Sequence, residues 1–307
     1  MLRDGMIQNY ARLPYVVGIS SWLPAINYNQ ARYTGVEMAL TYSKNKGDFR
    51  YSLTGRATLP QSKWVRYDEM NYRNEYQKRE GKEIGAIWGQ TYIGKFETDQ
   101  EALEVPQIFD EVLHAGDLKY EDLNNDGVVD DNDQSQIGNS SPKLLYAIDT
   151  RFNYKDFELT FIGTGRAFCD IIVSPSSSSF GGSSTGNRYF MNGWGDNTYS
   201  QFVYDNVMNN GSEYPKLTYY QVRNNFQPSE FWMRNASFFK IQNIELAYNV
   251  PVVKMQWNWV RGFKVFMRGT NLLTVSNLKD VDPESISSGV SNYPLFRTVT
   301  GGVKLTF

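Results

Sequence analysis

The chain has 307 residues and a formal net charge of −2 at pH 7, enough for one large domain or two small ones. No stretch approaches the ~18 consecutive apolar residues of a membrane-spanning helix, and without a basic stripe nucleic acid is not an expected partner. Aromatic residues make up 15% of the sequence, while the mean hydropathy is −0.50. This combination argues against a helical membrane protein and fits either a barrel with aromatic girdles or a carbohydrate-binding β-protein.

The chain opens with a partial strand near residues 6–11, followed by a clear hairpin. Apolar and polar residues alternate in 36–43, and 49–58 repeats the alternation after a short turn. Period-two alternation places the two sets of side chains on opposite faces of a strand. The two segments therefore predict an antiparallel hairpin with one apolar face and one polar face, and the polar face carries Arg50 and Arg56.

Two further hairpins and a closing strand show the same alternation. Residues 144–154 and 157–167 place aromatic and aliphatic side chains on one face, with Arg151 and Arg166 on the other. Charged residues on the inner face of a curved sheet suit the lumen of an outer-membrane barrel, because lipid then contacts only the apolar face. About eight strands of this type can be counted, and the remaining ones run through 244–250, 263–270 and 299–307.

The connections between these strands alternate in length. One set is short, whereas the other is long and polar. Short turns at one rim and long loops at the other match the periplasmic and extracellular sides of an outer-membrane barrel. The short connections are 44–48, 155–156 and 251–261, and the long ones are 67–143, 169–230 and 275–295.

The long loops contain a few smaller features. Residues 97–104 and 196–208 each predict a short helix, the second one capped by Asp196. The Ser- and Gly-rich segment 174–188 predicts a flexible surface spacer. Cys169 is the sole cysteine, so an internal disulfide is excluded and we expect a packed thiol without a function.

The amino-terminal residues 1–10 do not have the pattern of a signal peptide. They lack an apolar core and a small-residue cleavage site. A barrel protein of the outer membrane must be exported. Either the barrel interpretation is therefore wrong, or this chain is the carboxy-terminal part of a longer polypeptide.

Residues 122–133 have the spacing of a calcium-binding loop. Asp122, Asn124 and Asp126 stand at its first, third and fifth positions, where oxygen ligands of a hard cation are expected. Gly127 follows at the sixth position and permits the sharp turn that such loops require. Matched ligand positions together with the glycine make this a specific signal.

The second half of the loop completes the predicted set of ligands. Val128 would offer its backbone carbonyl, and Asp130 and Asp133 would add carboxylates. EF-hands usually have Glu at the last position, so an Asp there is more like dockerin-type loops. The alternative is a solvated acidic loop of turn-forming residues, but closely spaced carboxylates repel one another without a counter-ion. We therefore predict a structural calcium ion that holds the extracellular loop at 117–138.

Nothing in the sequence predicts catalysis. His114 is the sole histidine, and no neighbouring residues suggest a Ser–His–Asp set around it. Residues 163–166 contain two glycines but lack the Lys and the following helix of a phosphate-binding loop. The acidic residues are scattered, and no pair stands out as an acid–base couple. We therefore expect a protein that is not an enzyme.

Several segments resemble SusC/RagA-type TonB-dependent receptors. Residues 116–143, which include the calcium-type loop, are similar to a stretch of that family that begins Gly-Asp-Ile-Lys-Tyr. Residues 231–244 resemble a family strand that begins with Phe-Trp and contains Asn-Ala-Ser. Because the matches occur in order over essentially the whole chain, the resemblance is specific. The other matching segments are 33–37, 268–274 and 303–307.

The resemblance implies a transmembrane barrel of ~22 strands with an amino-terminal plug inside. Residues 1–307 would then be the carboxy-terminal part of that barrel, without the plug and the earlier strands. The family implies import of a nutrient across the outer membrane of a Gram-negative bacterium, mostly oligosaccharides and in some members peptides. The implied partners are a SusD-like surface lipoprotein on the long-loop side, the TonB complex acting through the plug, and outer-membrane lipid.

No family motif identifies the substrate-binding residues, which stay unknown. Aromatic side chains in the long loops could stack on sugar faces, and we name Trp194, Tyr199 and Tyr220 as candidates. The alternative, that they are aromatics of the membrane girdle or of loop packing, is simpler.

The residues leave two alternatives to a transporter fragment. Eight strands can close into a small membrane barrel with a filled interior, and a soluble secreted glycan-binding β-module could also carry a calcium loop. We predict an all-β fold of antiparallel transmembrane barrel strands with long extracellular loops, one of which carries the EF-hand-like calcium loop. Coordinates that placed the hairpin arginines on the same face as Leu53 and Phe161 would contradict the membrane-pore prediction.

Overall fold

The computed structural model describes residues 2–9, 25–104, 111–172, 215, 222–252, 259–278, 283–284 and 295–307. Nearly all regular structure in these residues is antiparallel β-strand. No helix in the described ranges is long and apolar enough to cross a membrane. In chain order the strands and the one α-helix of this part of the chain are β1 (Leu2–Asn9), β2 (Ala25–Lys46), β3 (Phe49–Arg66), β4 (Ala86–Gly89), β5 (Tyr92–Lys95), α1 (Asp99–Glu104), β6 (Leu118–Tyr120), β7 (Ser135–Asn139), β8 (Leu144–Tyr154), β9 (Phe157–Ala167), β10 (Asp170–Ile172), β11 (Met233–Asn235), β12 (Phe238–Val250), β13 (Gly262–Ser276) and β14 (Thr298–Thr306).

Eight strands form one antiparallel sheet in the order β1-β2-β3-β8-β9-β12-β13-β14. Every strand of this sheet lies next to the sheet strand that precedes it in the chain, so the topology is up-and-down. The prediction of about eight barrel-type strands is confirmed. The first strand lies at Leu2–Asn9 rather than 6–11, and β2 and β3 extend over 22 and 18 residues, well beyond the alternation at 36–43 and 49–58.

The register confirms that the sheet has one apolar face and one charged face. Directly paired residues of antiparallel strands share a face. Leu159 pairs with Phe152 on β8 and with Leu246 on β12, so an apolar row crosses three strands. Arg151 pairs with Ser52 and Thr160 on the opposite face. The hairpin arginines therefore lie on the face opposite to Leu53 and Phe161, as the alternation predicts.

A register shift in β12 changes which residues reach the charged face. The pairing of β12 with both of its neighbours slips by one residue between Ile241 and Asn243. Opposite this shift, Asn271 of β13 has a φ of 53°, a left-handed conformation that Asn tolerates better than most residues. Before the shift the even-numbered residues of β12 lie on the charged face, and after it the odd-numbered ones do. Lys240 and Glu245 therefore both lie on the charged face.

Aromatic packing on the apolar face requires glycine in β9. Tyr146 and Phe239 stack with their ring planes 3° apart and their centroids 6.1 Å apart. A side chain at Gly163 would place its first carbon 2.6 Å from the Phe239 ring. Glycine therefore leaves room for the two rings to cover the strand, which compensates for the weak strand propensity of glycine.

The long connections contain small sheets of their own. Strands β4 and β7, β5 and β6, and β10 and β11 form three two-stranded antiparallel sheets within the described loops. Helix α1 at Asp99–Glu104 confirms the helical prediction for 97–104. The predicted helix at 196–208 and the Ser-rich spacer at 174–188 lie outside the described residues.

Candidate functional site

The charged face of the sheet carries a row of alternating ion pairs across β8, β9, β12 and β13. Arg151 Nε lies 3.5 Å from Glu158 Oε1, and Lys264 Nζ lies 3.1 Å from the other oxygen of Glu158. Lys264 Nζ is also 3.4 Å from Glu245, which in turn bonds the Arg268 guanidinium at 2.5 Å. We call these five residues the charge ladder. The charge ladder ends in Arg151 at one side and Arg268 at the other. Such a polar surface would suit an aqueous lumen.

The opposite face of the sheet exposes apolar side chains that water does not favour. Leu40 is 79% exposed, Met267 61% and Val303 63%. Large exposed apolar surface on a folded protein marks contact with a partner or a membrane. Because these residues lie on strands that span almost the whole sheet, the surface fits a lipid-facing wall better than a local docking patch.

The described parts of the two longest loops pack against each other at the opposite end from the short turns. We call segments 84–104, 111–143 and 222–236 the loop cluster. Its core consists of buried side chains from both segments, and Tyr92 and Ile172 pack against it. The core residues are Leu118, Tyr120, Val129, Phe226, Phe231 and Trp232.

Two adjacent asparagines join the two halves of the loop cluster. The Asn225 side chain accepts a hydrogen bond from the Leu118 N–H at 2.8 Å and donates one to Asp117 Oδ1 at 2.7 Å. The Asn224 side chain donates to the Leu118 carbonyl at 2.8 Å. Both asparagines are almost fully buried. Losing one of these hydrogen bonds would destabilise the fold more than losing an exposed one, because an unpaired polar group inside the protein costs free energy.

Aromatic side chains complete this network. The Trp232 indole donates to the Asn225 carbonyl at 2.7 Å, and the Tyr120 hydroxyl donates to the Asn224 carbonyl at 2.8 Å. Burial raises the pKa of Tyr120 well above its ordinary value, so the hydroxyl stays protonated and can donate. The loop cluster is therefore a folded unit with its own core.

The predicted calcium loop is part of the loop cluster, and it closes on itself. The Gly127 N–H donates to Asp122 Oδ2 at 2.8 Å, so the first carboxylate reaches the sixth position. The Leu123 and Asn124 N–H groups both donate to Asp133 Oδ1, at 2.9 and 3.2 Å. Gly127 has a φ of 88°, as the sharp turn requires.

The predicted ligands use their oxygens within the loop. Asn124 Oδ1 accepts from the Asp126 N–H, and Asp126 Oδ1 accepts from the Val128 N–H. Asp130 accepts from the Asn132 N–H at 2.6 Å. Among the residues that the structure describes, no group of three or more His, Cys, Asp or Glu side chains is arranged to hold a metal ion. The donor set is all oxygen, which fits calcium, but the carboxylates do not surround a common point.

Three polar contacts attach this loop to its surroundings. The Tyr76 hydroxyl donates to the Asn132 carbonyl at 2.8 Å, and the Gln90 side chain donates to the Asp130 carbonyl at 2.9 Å. The Gln77 side chain reaches the Asp131 carbonyl at 3.3 Å. Burial, and then the negative charge of Asp133 and Asp122, raises the pKa of Tyr76. The carboxylates of the calcium-type loop therefore contribute to the raised pKa of Tyr76, a residue outside the loop.

Asp133 is the most buried of the predicted ligands. None of its surface is exposed to solvent, and burial raises the pKa of its carboxyl despite the backbone N–H groups that bond it. Burial therefore disfavours the ionised form of this carboxyl relative to that of an exposed Asp.

The remaining predicted residues do not add a chemical site. The His114 ring lies 3.6 Å from Asp99 in an exposed pair. Cys169 is buried, and burial raises the pKa of its thiol, which keeps it in the unreactive form. Trp194, Tyr199 and Tyr220 lie outside the described residues.

One pair of contacts on the charged face was missed at the sequence level. Lys240 of β12 bonds Glu284 at 2.5 Å, and Arg166 of β9 donates to the Pro283 carbonyl at 2.6 Å. The two partners lie 44 and 117 residues away from them in the chain. No periodicity or motif links such distant positions, so the sequence carries no signal for this pairing.

The fold and the two-faced sheet define the class of this protein as a membrane β-barrel segment with large loops on one side. No family model matches the chain. Among curated proteins it is 26% identical to the TonB-dependent receptor P26 of Formosa agariphila over 247 residues, which is 74% of this chain and 23% of the relative. It is 24% identical over 208 residues to the TonB-dependent receptor SusC of Bacteroides thetaiotaomicron, covering 66% of this chain and 19% of the relative.

Solved structures show the same fold. The chain matches the RagAB peptide transporter with a TM-score of 0.67 at 18% identity, and RagAB in the open-open state with 0.64 at 17% identity. Both matches cover 100% of this chain and 32% of the other. In sequence the chain is therefore similar to TonB-dependent receptors, SusC among them, and over its whole length it shares the fold of RagAB. TonB-dependent receptors of the SusC/RagA type are outer-membrane β-barrel proteins of Gram-negative bacteria.

The chain spans only part of these relatives, 23% and 19% of the two named curated receptors. The relatives are named as receptors rather than enzymes, and the RagAB structures are described as a peptide importer or transporter.

Proposed function

We propose that this chain forms part of the wall and the outer loops of a TonB-dependent importer that carries an oligosaccharide across the outer membrane. The observation that supports this most strongly is the division of the eight-stranded sheet into an exposed apolar face and a face with the charge ladder. A lipid-facing exterior combined with an aqueous interior requires this division. A soluble sheet would instead bury its apolar face against a second layer.

The loop cluster is the proposed docking surface for a SusD-like lipoprotein. Its own hydrophobic core and the buried asparagine network make it rigid, and a rigid surface loses less entropy when a partner binds. The TonB complex would act through a plug inside the complete barrel. Both partnerships are extended from the resemblance to SusC and RagAB.

A peptide is the second candidate substrate. RagAB, whose fold this chain shares, is described as a peptide importer. The described charged face carries both signs of charge, which suits a zwitterionic peptide as well as a neutral sugar.

A structural calcium ion in the loop cluster belongs to this proposal. Asp122, Asn124, Asp126, Asp130 and Asp133, with the Val128 carbonyl, would hold the ion. Its charge would offset the cost of the buried Asp133 carboxylate and fix the loop that Tyr76 and Gln90 contact. Because the carboxylates now bond backbone N–H groups, several of them would have to turn toward the ion.

Two measurements test the proposed function. In cells, a chromosomal deletion of the gene should abolish growth on one class of nutrient, oligosaccharides or peptides, and a deletion of TonB should have the same effect. For the protein itself, the chain should enter the membrane fraction and need detergent for extraction. A monodisperse protein in buffer without detergent would refute the membrane-wall proposal.

A further inference from the structure

A second charged cluster lies on the same face as the charge ladder, nearer the long-loop end of the sheet. Lys240 of β12 pairs with Thr164 of β9, and Arg166 lies two residues further along β9. The two cations are thus diagonal neighbours on one face of adjacent strands, within reach of a shared ligand. Both find their acceptors in one turn, Pro283–Glu284.

The contacts of the two cations hold both of them in place, and each cation can bind a carboxylate. The Lys240 side chain is 3% exposed and its ammonium lies 2.5 Å from the Glu284 carboxylate. The Arg166 guanidinium is fixed on three sides: Nη2 bonds the Pro283 carbonyl at 2.6 Å, Nε bonds the Ala236 carbonyl at 3.3 Å, and the group lies over the Phe238 ring at 5.3 Å. A guanidinium held in this way keeps its orientation before a ligand arrives.

The buried ammonium limits what the pocket can contain. Removing one partner of a buried ion pair leaves an uncompensated charge, which is strongly unfavourable. Glu284 can therefore leave Lys240 only when another anion, or water, replaces it. The Glu284 side chain is 34% exposed, in contrast to the 3% of Lys240, so solvent reaches this ion pair at Glu284.

We infer that Lys240 and Arg166 form a carboxylate-binding pocket on the charged face, that Glu284 occupies it as an internal ligand, and that a substrate carboxylate competes with Glu284 for it. The inference deepens the proposed import function, because the charged face would line the path of the substrate. The ligand chemistry is a carboxylate beside a hydrogen-bond acceptor, which both a peptide carboxyl terminus and an acidic sugar provide. The turn at Pro283–Glu284 then opposes binding until such a ligand is present.

The test uses the full chain and two matched pairs of probes in titration calorimetry. One pair is N-acetyl-dialanine and its carboxyl-terminal amide, and the other is glucuronate and glucose. Removing the internal competitor in Glu284→Gln should strengthen binding of at least one carboxylate probe about tenfold or more, with no gain for its neutral partner. The probe that gains identifies the peptide or the sugar as the source of the carboxylate.

Two variants complete the experiment. The double variant Lys240→Gln/Glu284→Gln should lose the gain, because the cation that binds the probe is gone. Glu75→Gln removes an exposed carboxylate that pairs with Lys78 outside the sheet, and this variant should bind all probes as the unmodified chain does. If Glu284→Gln does not fold, Glu284→Asp shortens the internal ligand by one methylene and should give a smaller gain in the same direction.

Equal binding of the charged and neutral probes by the folded Glu284 variant would overturn the inference. Such a result would leave the import function intact, because the membrane fractionation and the nutrient phenotype do not depend on this pocket. Conversely, a chain that is soluble without detergent would refute the membrane-wall proposal even if the pocket bound a carboxylate.

Discussion

The sheet and the loop cluster are stabilised in different ways. The sheet is held mainly by backbone pairing between neighbouring strands, and its apolar face is exposed. The loop cluster has few strand residues, but it buries a continuous set of aromatic and aliphatic side chains and a polar network. On the proposed function lipid would cover the apolar face of the sheet, whereas the loop cluster carries its own core.

The comparison predicts that a core deletion in the loop cluster has the largest effect. Trp232→Ala removes a buried ring and the indole bond to Asn225, and we expect a loss of about 3–5 kcal/mol in the local free energy of unfolding. Hydrogen exchange at Leu118 and Tyr120 should report it. Leu40→Ala on the exposed apolar face is the control and should leave these amides protected. Unchanged exchange in Trp232→Ala would show that the loop cluster has no core of its own.

The next largest effect is expected at Asn225. Asn225→Ala leaves the Leu118 N–H and the Asp117 carboxylate without this partner, and each such buried group costs about 1–3 kcal/mol. Protease resistance of segment 111–143 should fall, while β8 and β9 stay resistant. The exposed Asn249 provides a matched control as Asn249→Ala. Equal sensitivity of the two variants would contradict the role of the buried network.

We expect calcium to stabilise the loop cluster, and we expect this stabilisation to depend on pH. Burial raises the folded-state pKa of Asp133, so the folded state binds more protons than the unfolded state between the ordinary and the raised pKa. The free energy of unfolding therefore falls as the pH rises through that window, and above it the ionised carboxylate is held at a cost.

An added cation should offset this cost only where Asp133 is ionised. We expect calcium to slow proteolysis of 117–138 at pH 7, to have little effect below the ordinary carboxyl pKa, and to lose its effect in Asp126→Ala. The sheet strands should not respond. Proteolysis that is the same with calcium and with chelator at pH 7 would refute the calcium prediction.

The smallest effect is expected in the charge ladder. Its ion pairs are partly exposed, with the Arg151 side chain at 60% and Arg268 at 45%, and exposed pairs contribute about 0–1 kcal/mol. Glu158→Gln should therefore change the thermal midpoint only slightly, and added salt should reduce the difference further. A large, salt-independent loss would show that the ladder is buried by a partner in the measured protein.

The sequence predicts the sheet well and the loop cluster poorly, for physical reasons. Alternation is a local property, so the hairpins at 49–58 and 157–167 can be recognised from a few consecutive residues. The register shift beside Asn271 has no such signal, since the alternation simply changes phase there. The contact between Asn225 and Leu118 joins residues 107 positions apart, and only tertiary folding brings them together.

The candidate site divides in the same way. The calcium-type spacing could be recognised because all of the predicted ligands fall within 122–133, and calcium binding itself stays a prediction. The pocket of Lys240 and Arg166 was not predictable, because its internal ligand comes from a distant turn. The resemblance to SusC/RagA-type receptors indicated the barrel, and no motif indicated this pairing.

Lipid accessibility along one strand of the membrane-inserted protein tests the central claim most directly. In a Cys169→Ala background, spin labels at Leu40→Cys and Ala39→Cys differ by one residue in β2 and should face opposite sides of the sheet. We predict that the label at residue 40 is accessible to oxygen dissolved in the bilayer, and that the label at residue 39 is accessible to a water-soluble nickel chelate. Equal access of the chelate to both labels would contradict a sheet with one face in lipid and the other in water.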